Sequence, residues 1–172
     1  MKSGQSFDED VKLAIKGDCD AFARLYSIVY KDLYHIAICS LRNQQDAADI
    51  VSETVIDAFA SIKKLRNQNA FKGWIVKILT NKVKQKQAEY MKQRATDNFD
   101  AAENIKGNEF NFGKHELDEE LARLDNEERL ILSLSALMGY TSNEIARLCK
   151  INPATVRTKL ARTKAKLRKA LG

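Results

Sequence analysis

One proline, Pro153, and seven glycines in 172 residues leave this chain poor in the residues that punctuate turn-rich β folds. No run of Val, Ile and Thr alternates with polar residues as a half-buried strand would. Three cysteines, Cys19, Cys39 and Cys149, are odd in number and far apart, a pattern that suggests neither a disulfide framework nor a zinc site. No apolar run approaches the ~20 residues that cross a bilayer, and the opening MKSGQSFDED has no apolar signal core. These absences point to a soluble protein of the reducing cytoplasm, without membrane insertion, disulfide, metal or cofactor.

What remains is a globular balance, 44% hydrophobic and 30% charged, of helix-favouring composition. The net charge of +6 hides a block pattern. Residues 1–62 sum to −4, 63–96 to +9, 97–128 to −8 and 140–172 to +8. Two basic blocks around an acidic one suggest two surfaces for a polyanion, because fields of this kind drive association with nucleic acid.

Helical periodicity orders the first half. Phe22, Leu25, Tyr26, Val29, Leu33, Ile36 and Ala37 form one buried stripe, and Ala47, Ile50, Val51, Val55, Ala58, Phe59 and Ile62 form a second, so two helices are predicted to pack together. The polar break LRNQNA precedes a third stripe at Phe71, Trp74, Ile75, Ile78 and Leu79. That placement makes Trp74 a core residue rather than a base-stacking one. From about Arg94 to Lys114 periodicity is lost and Asn, Asp and Gly gather, as in a linker.

Beyond it, HELDEELARL starts a helix. In DNEERLILSLSALMG Asp125 is the expected N-cap, with Glu128 completing a capping box and Gly139 ending the helix. TSNEIARLC, capped at Thr141 or Ser142, is followed after a short turn by NPATVRTKLARTKAKLRKAL, with Asn152 as cap and Pro153 in the first turn. Ile145, Leu148, Ile151 and Val156 are placed to join these two helices, and Ala146 permits their close approach, so a helix-turn-helix is predicted. Lys150 stands where many such turns carry Gly. Either it takes a left-handed conformation at a cost of about 1 kcal/mol or more, or the turn differs.

In the last helix Val156, Leu160, Thr163, Leu167 and Leu171 share the inward face. The adjacent face presents Arg157, Thr158, Ala161 and Arg162, types that meet guanine, several base edges and the thymine methyl, while Lys159, Lys164 and Lys166 suit phosphates.

These segments, in this order and spacing, resemble the second and fourth conserved regions of the small extracytoplasmic-function (ECF) sigma factors of bacterial RNA polymerase, over most of residues 18–92 and 116–171. The resemblance implies an all-α protein of two small helical domains joined by a flexible acidic linker. Residues 1–93 would bind core polymerase and the -10 element, 94–115 would be the linker, and 116–172 would be a helix-turn-helix domain for the -35 element. It further implies that Asp46, Asp49 and Glu53 dock on the clamp helices of the polymerase largest subunit, with the flap as a further contact on core polymerase. Carboxylates on one helix suit pairing with arginine on a partner. Ser52 stands where the family commonly has Gln. Arg66, Asn67, Gln68 and Asn69 would hold an unstacked base of the -10 element, with Lys77, Asn81 and Lys84 along the opened strand. Arg157, Thr158, Lys159, Ala161, Arg162 and Lys164 would read the -35 element. Leu65 replaces a commoner aromatic. An anti-sigma factor is an implied partner, and no catalytic group is expected.

Two other readings use the same residues. A stand-alone helix-turn-helix regulator needs only the C-terminal half and would bind its duplex tightly without polymerase. A metal-dependent nuclease would need Asp46, Asp49 and Glu53 as ligands, yet all three lie on one helix with no histidine beside them.

Overall fold

The computed structural model describes residues 6–96 and 115–172. Helix α1 (Phe7–Ile15) begins at a reciprocal capping box, in which Glu9 N donates to Ser6 Oγ and Ser6 N to Glu9 Oε2, both at 3.2 Å. Its apolar face buries Val11 and Ala14, and the buried Asp10 carboxylate receives both Nε (3.1 Å) and Nη2 (2.8 Å) of Arg24. This helix lies outside the expected stripes. Its signal was the Ser6 and Glu9 spacing ahead of Phe7, Val11 and Ala14.

Arg24 belongs to α2 (Cys19–Leu41), capped by Asp18, whose Oδ1 accepts from Ala21 N at 3.0 Å. The helix stops at Arg42, held left-handed at φ 55°, and Asn43 at once caps α3 (Gln44–Ser61) by accepting from Asp46 N at 2.9 Å. A two-residue connection of this kind turns the second helix back along the first. The expected α2 stripe is inward: Leu25, Leu33, Ile36 and Ala37 are fully buried. The α3 stripe differs in two places. Phe59 is 49% exposed, its ring set edge-to-face with that of Phe22, centroids 5.1 Å apart. Thr54, a polar residue the stripe omitted, is wholly buried because its hydroxyl is satisfied by Ile50 O at 2.7 Å.

Two 3-10 turns, Ile62–Lys64 and Gln68–Ala70, lead into α4 (Phe71–Thr96). The helix thus runs past residue 93, the expected end of the first domain; residues 97–114 of the expected linker lie outside the described residues. Trp74 is half-buried against Phe71, ring centroids 5.9 Å apart, on the core side of the helix.

The C-terminal half comprises α5 (His115–Arg123), α6 (Asn126–Met138), α7 (Ser142–Cys149) and α8 (Pro153–Leu171). Asp125 caps α6, accepting from Glu128 N at 2.7 Å, but Glu128 does not return the bond as the capping-box reading expected. Its carboxylate is buried and turned toward α8, where Lys166 lies 3.5 Å away. Gly139, left-handed at φ 67°, ends α6. Thr141 and Glu144 form a complete box at the start of α7. Asn152 caps α8, with Pro153 in its first turn. Among the inward residues expected of α8, Val156 and Thr163 are buried, while Leu171 is 44% exposed.

Lys150 adopts the left-handed conformation, φ 57° and ψ 45°, so the turn between α7 and α8 keeps its geometry and a side chain bears the strain. Replacing it by Gly relieves about 1–2 kcal/mol of strain against about 0.5–1 kcal/mol of added unfolded-chain entropy. Lys150→Gly is therefore expected to raise the thermal midpoint by about 2–4 °C. A melt with no rise would show that Lys150 is unstrained.

One buried cluster runs through both halves, from Leu33, Ile36 and Leu79 to Leu130, Ile131, Leu134, Ile145 and Val156. Helix α2 packs along α6, and α4 reaches α7. Fully burying each such aliphatic side chain contributes about 1.5–3 kcal/mol, so this seam is a substantial part of the fold. Among the described residues there is no β-strand and no helix long and apolar enough to cross a membrane.

Candidate nucleic-acid and protein interfaces

The acidic face of α3 lies beside the basic face of α4, and the two partly neutralise each other. Lys82 Nζ is 2.7 Å from Asp57 and 3.9 Å from Glu53, and Lys86 Nζ is 3.8 Å from Asp46 and 3.2 Å from Glu89. Burial works against the Lys86 ammonium, but Glu89, Asp46 and Asp49 outweigh it and raise its pKa. Asp46 also accepts the phenol proton of Tyr90. Burial first, and then this carboxylate, push the Tyr90 pKa well above the usual tyrosine range.

Three carboxylates expected to act together therefore differ. Asp46 is half-buried and engaged from α4, and Glu53 is exposed at the edge of the Lys82 pair. Asp49 is exposed, with Gln45 Nε2 donating to it at 3.0 Å from the preceding turn. Asp49 is the one that presents its charge outward. Beside this stripe Ile56 is 66% and Phe59 49% exposed, giving α3 an apolar margin that periodicity assigned inward for Phe59.

The loop ahead of α4 is held by Asn67, whose Oδ1 accepts from Asn69 N at 3.0 Å, an Asx turn that spends the amide oxygen and leaves its NH2 outward. Arg66, Asn67 and Asn69 are exposed and Gln68 half-buried, so the polar groups expected to hold a base are together on one turn. Lys63 and Lys64, exposed just upstream, add charge that the sequence reading passed over because they trail an amphipathic helix. Along α4 Lys77 is exposed and Asn81 half-buried. Lys84 is directed elsewhere: its ammonium donates to the carbonyl of Cys149 at the end of α7.

Around the helix-turn-helix the arrangement is simpler. Ile145, Ala146, Cys149 and Val156 are buried between α7 and α8, with Leu148, Ile151 and Leu160 packed at the margin. Cys149 was not among the expected core residues; burial raises its thiol pKa to about 11, so it behaves as a small apolar side chain at neutral pH. Arg157, Thr158, Ala161, Arg162 and Lys164 are exposed. The Thr158 hydroxyl donates to Ala154 O at 3.0 Å, which leaves its lone pairs for an incoming donor. Lys159 is separated from this set: it is half-buried and turned to the start of α6, 3.3 Å from Glu127 and 3.8 Å from Asp125. Its periodicity was compatible with the outer face, but the acidic cap of α6 lies across from it and takes the charge.

No group of three or more His, Cys, Asp or Glu side chains among the described residues is placed to hold a metal ion. The geometry is that of polar and cationic surfaces on helices.

Comparison with known proteins agrees with that character. Residues 25–102 match Sigma-70 region 2, and residues 114–167 match Sigma-70, region 4. The RNA polymerase sigma factor SigV of Bacillus subtilis is 31% identical over 132 residues, 77% of this chain and 80% of SigV. The ECF RNA polymerase sigma factor SigW of the same organism is 24% identical over 94% of each chain. Among solved structures, CnrH in complex with the cytosolic domain of CnrY shares the fold, with a TM-score of 0.67 at 20% identity over 95% of this chain and 96% of that one. So does the sigma factor RpoE, solved with the anti-sigma factor NepR from Bartonella quintana, with a TM-score of 0.69 at 18% identity over 87% and 96%. Two matched regions in order, exposed polar and basic side chains on a helix-turn-helix and a polar loop before a basic helix converge: this chain belongs to the sigma-70 family, as an ECF RNA polymerase sigma factor.

Proposed function

We propose that the chain docks on core RNA polymerase through the acidic face of α3 and reads two promoter elements with two separate surfaces. Asp49 is the principal polymerase contact, with Asp46 and Glu53 flanking it against the clamp helices of the largest subunit, and the C-terminal half engages the flap. Arg66, Asn67, Gln68 and Asn69 hold a base of the opened -10 element, while Lys77, Asn81 and Lys84 follow its strand. Arg157, Thr158, Ala161 and Arg162 meet base edges of the -35 element, and Lys164 meets phosphate; Lys159 acts there only after leaving Glu127.

The observation that carries this reading is the exposure of Arg157, Thr158, Ala161 and Arg162 together on α8, in a helix-turn-helix held from behind by the buried Val156 and Thr163. An anti-sigma partner completes the reading, by analogy with RpoE and NepR. The protein supplies no catalytic group and needs no cofactor.

Core polymerase plus this protein, given a pool of random DNA, is expected to start transcripts downstream of one -10 and one -35 sequence shared by the selected templates. Transcripts that begin at unrelated sites, or no association with core enzyme, would remove the proposal.

A further inference from the structure

Helix α1 lies ahead of the stretch matched to Sigma-70 region 2, residues 25–102, yet it packs against both 3-10 turns that flank the loop before α4. At one end the Phe7 ring meets Phe71, centroids 5.7 Å apart, with Lys72 Nζ 5.1 Å from the centre of the Phe7 ring. At the other end the Lys63 stem rests on Gly17, its Cε 3.7 Å from where a β-carbon would stand. Residues 65–70 run between these two anchor points, so α1 is the support on which the loop is mounted.

The second anchor point gathers charge. Lys63 touches Gly17, and Lys16 and Lys64 are the chain neighbours of that contact; all three lysines are exposed. Among the described residues none of the three forms an ion pair. The acids closest in sequence to Gly17 on either helix are committed: Asp10 is held by Arg24, and Asp18 caps α2. Lys82 and Lys86 of α4, by contrast, are each neutralised from within. Like charges held together without a counter-charge repel one another, and a polyanion removes that cost. Ammonium groups on flexible stems meet phosphates as point charges.

The course of α4 gives the direction of the strand. The helix starts at the loop, and about 20 Å further on, at ~1.5 Å per residue, its Lys84 reaches Cys149 O at the end of α7. The reader of the -35 element thus lies toward the far end of α4. The lysines beside α1 lie on the opposite side of the base-holding loop, toward the start of transcription.

Resting on the two-element reading above, we propose that Lys16, Lys63 and Lys64 form a phosphate track for the opened strand just downstream of the -10 element, with α1 as its floor. The track adds affinity without sequence preference, because phosphates are the same at every position. Its ligand is a single strand, which exists only after the duplex has parted there. Binding it therefore shifts the promoter toward the open complex.

The test uses core polymerase with this protein and two forked templates carrying the promoter elements selected in the transcription experiment. On the short fork the non-template strand stops at the last base of the -10 element. On the long fork it continues unpaired for about ten nucleotides, within the span such a groove binds. The triple variant Lys16→Ala, Lys63→Ala, Lys64→Ala is expected to bind the long fork about five- to twentyfold more weakly than the unsubstituted protein. Its salt slope on that fork falls by about 2, since each single-strand phosphate contact contributes ~0.7. On the short fork the two proteins bind alike, which also shows that the variant is folded. Lys64→Glu alone is expected to weaken the long fork about threefold or more and to leave the short fork unchanged. Equal weakening of both forks by both variants, or weakening of neither, overturns the track and leaves the two-element reading intact. If the unsubstituted protein gave polymerase no preference for the selected fork over one of scrambled sequence, the two-element reading would fall, and the track with it.

Discussion

Asp49→Lys is expected to weaken binding to core polymerase by about 3 kcal/mol or more, over a hundredfold in Kd, while leaving the thermal midpoint unchanged. The lost charge-assisted hydrogen bond accounts for about 1.5–3 kcal/mol, and a lysine facing a cationic partner adds repulsion of several kcal/mol. Stability is spared because Asp49 is exposed and its bond to Gln45 is a surface one; such substitutions usually stay within ~0.5 kcal/mol. Fluorescence anisotropy against labelled core enzyme reads the first quantity and a thermal melt the second. Asp57→Lys is the internal control, since Asp57 is paired with Lys82 at 2.7 Å. Wild-type affinity in Asp49→Lys would mean that the acidic face of α3 is not the docking surface.

Arg162→Ala is expected to cost about 1–3 kcal/mol on the preferred -35 sequence, roughly five- to 150-fold, and to relax preference at one position. The guanidinium is exposed, and a bidentate contact to guanine is what a smaller side chain cannot replace. Lys164→Ala serves as the comparison: a phosphate contact carries no sequence information, so all templates weaken alike and the salt slope falls by about one. Competition assays over single-position variants of the element separate the two. If Arg162→Ala depressed every template equally, Arg162 would be a phosphate contact.

Much of this molecule could be read before its structure. The stripes of α2 and α8, the Thr141 and Asn152 caps and the exposed Arg157 and Arg162 all follow from three-four spacing and capping chemistry, which are local. What escaped the sequence is non-local. Glu128 has the spacing of a capping box, but α8 offers it Lys166. Lys159 and Lys84 look like strand-facing cations until α6 and α7 supply nearer partners. Thr54 is buried and Phe59 half exposed where periodicity placed Phe59 inward and omitted Thr54, because one hydroxyl bond to Ile50 suffices to satisfy the threonine. Ser40, Gln87 and Ser133 carry no apolar signal at all, so the seam they bridge, Ser40 to Ser133 and Gln87 to Asn126 O, was invisible, and the two halves were expected to be joined by a linker rather than by a shared core.

The internally paired lysines have a consequence for how the protein finds its promoter. Lys82, Lys84, Lys86, Lys159 and Lys166 are each engaged by a carboxylate or carbonyl of this chain, so while those contacts hold they displace no counterions from a duplex. Each phosphate contact forgone removes about 0.9 from the slope of log affinity against log salt. Most of a chromosome consists of competing sites without the promoter sequence. A sigma factor whose cations are held by its own carboxylates and carbonyls is titrated away less by that excess, and it reaches polymerase with part of its electrostatic binding energy unused.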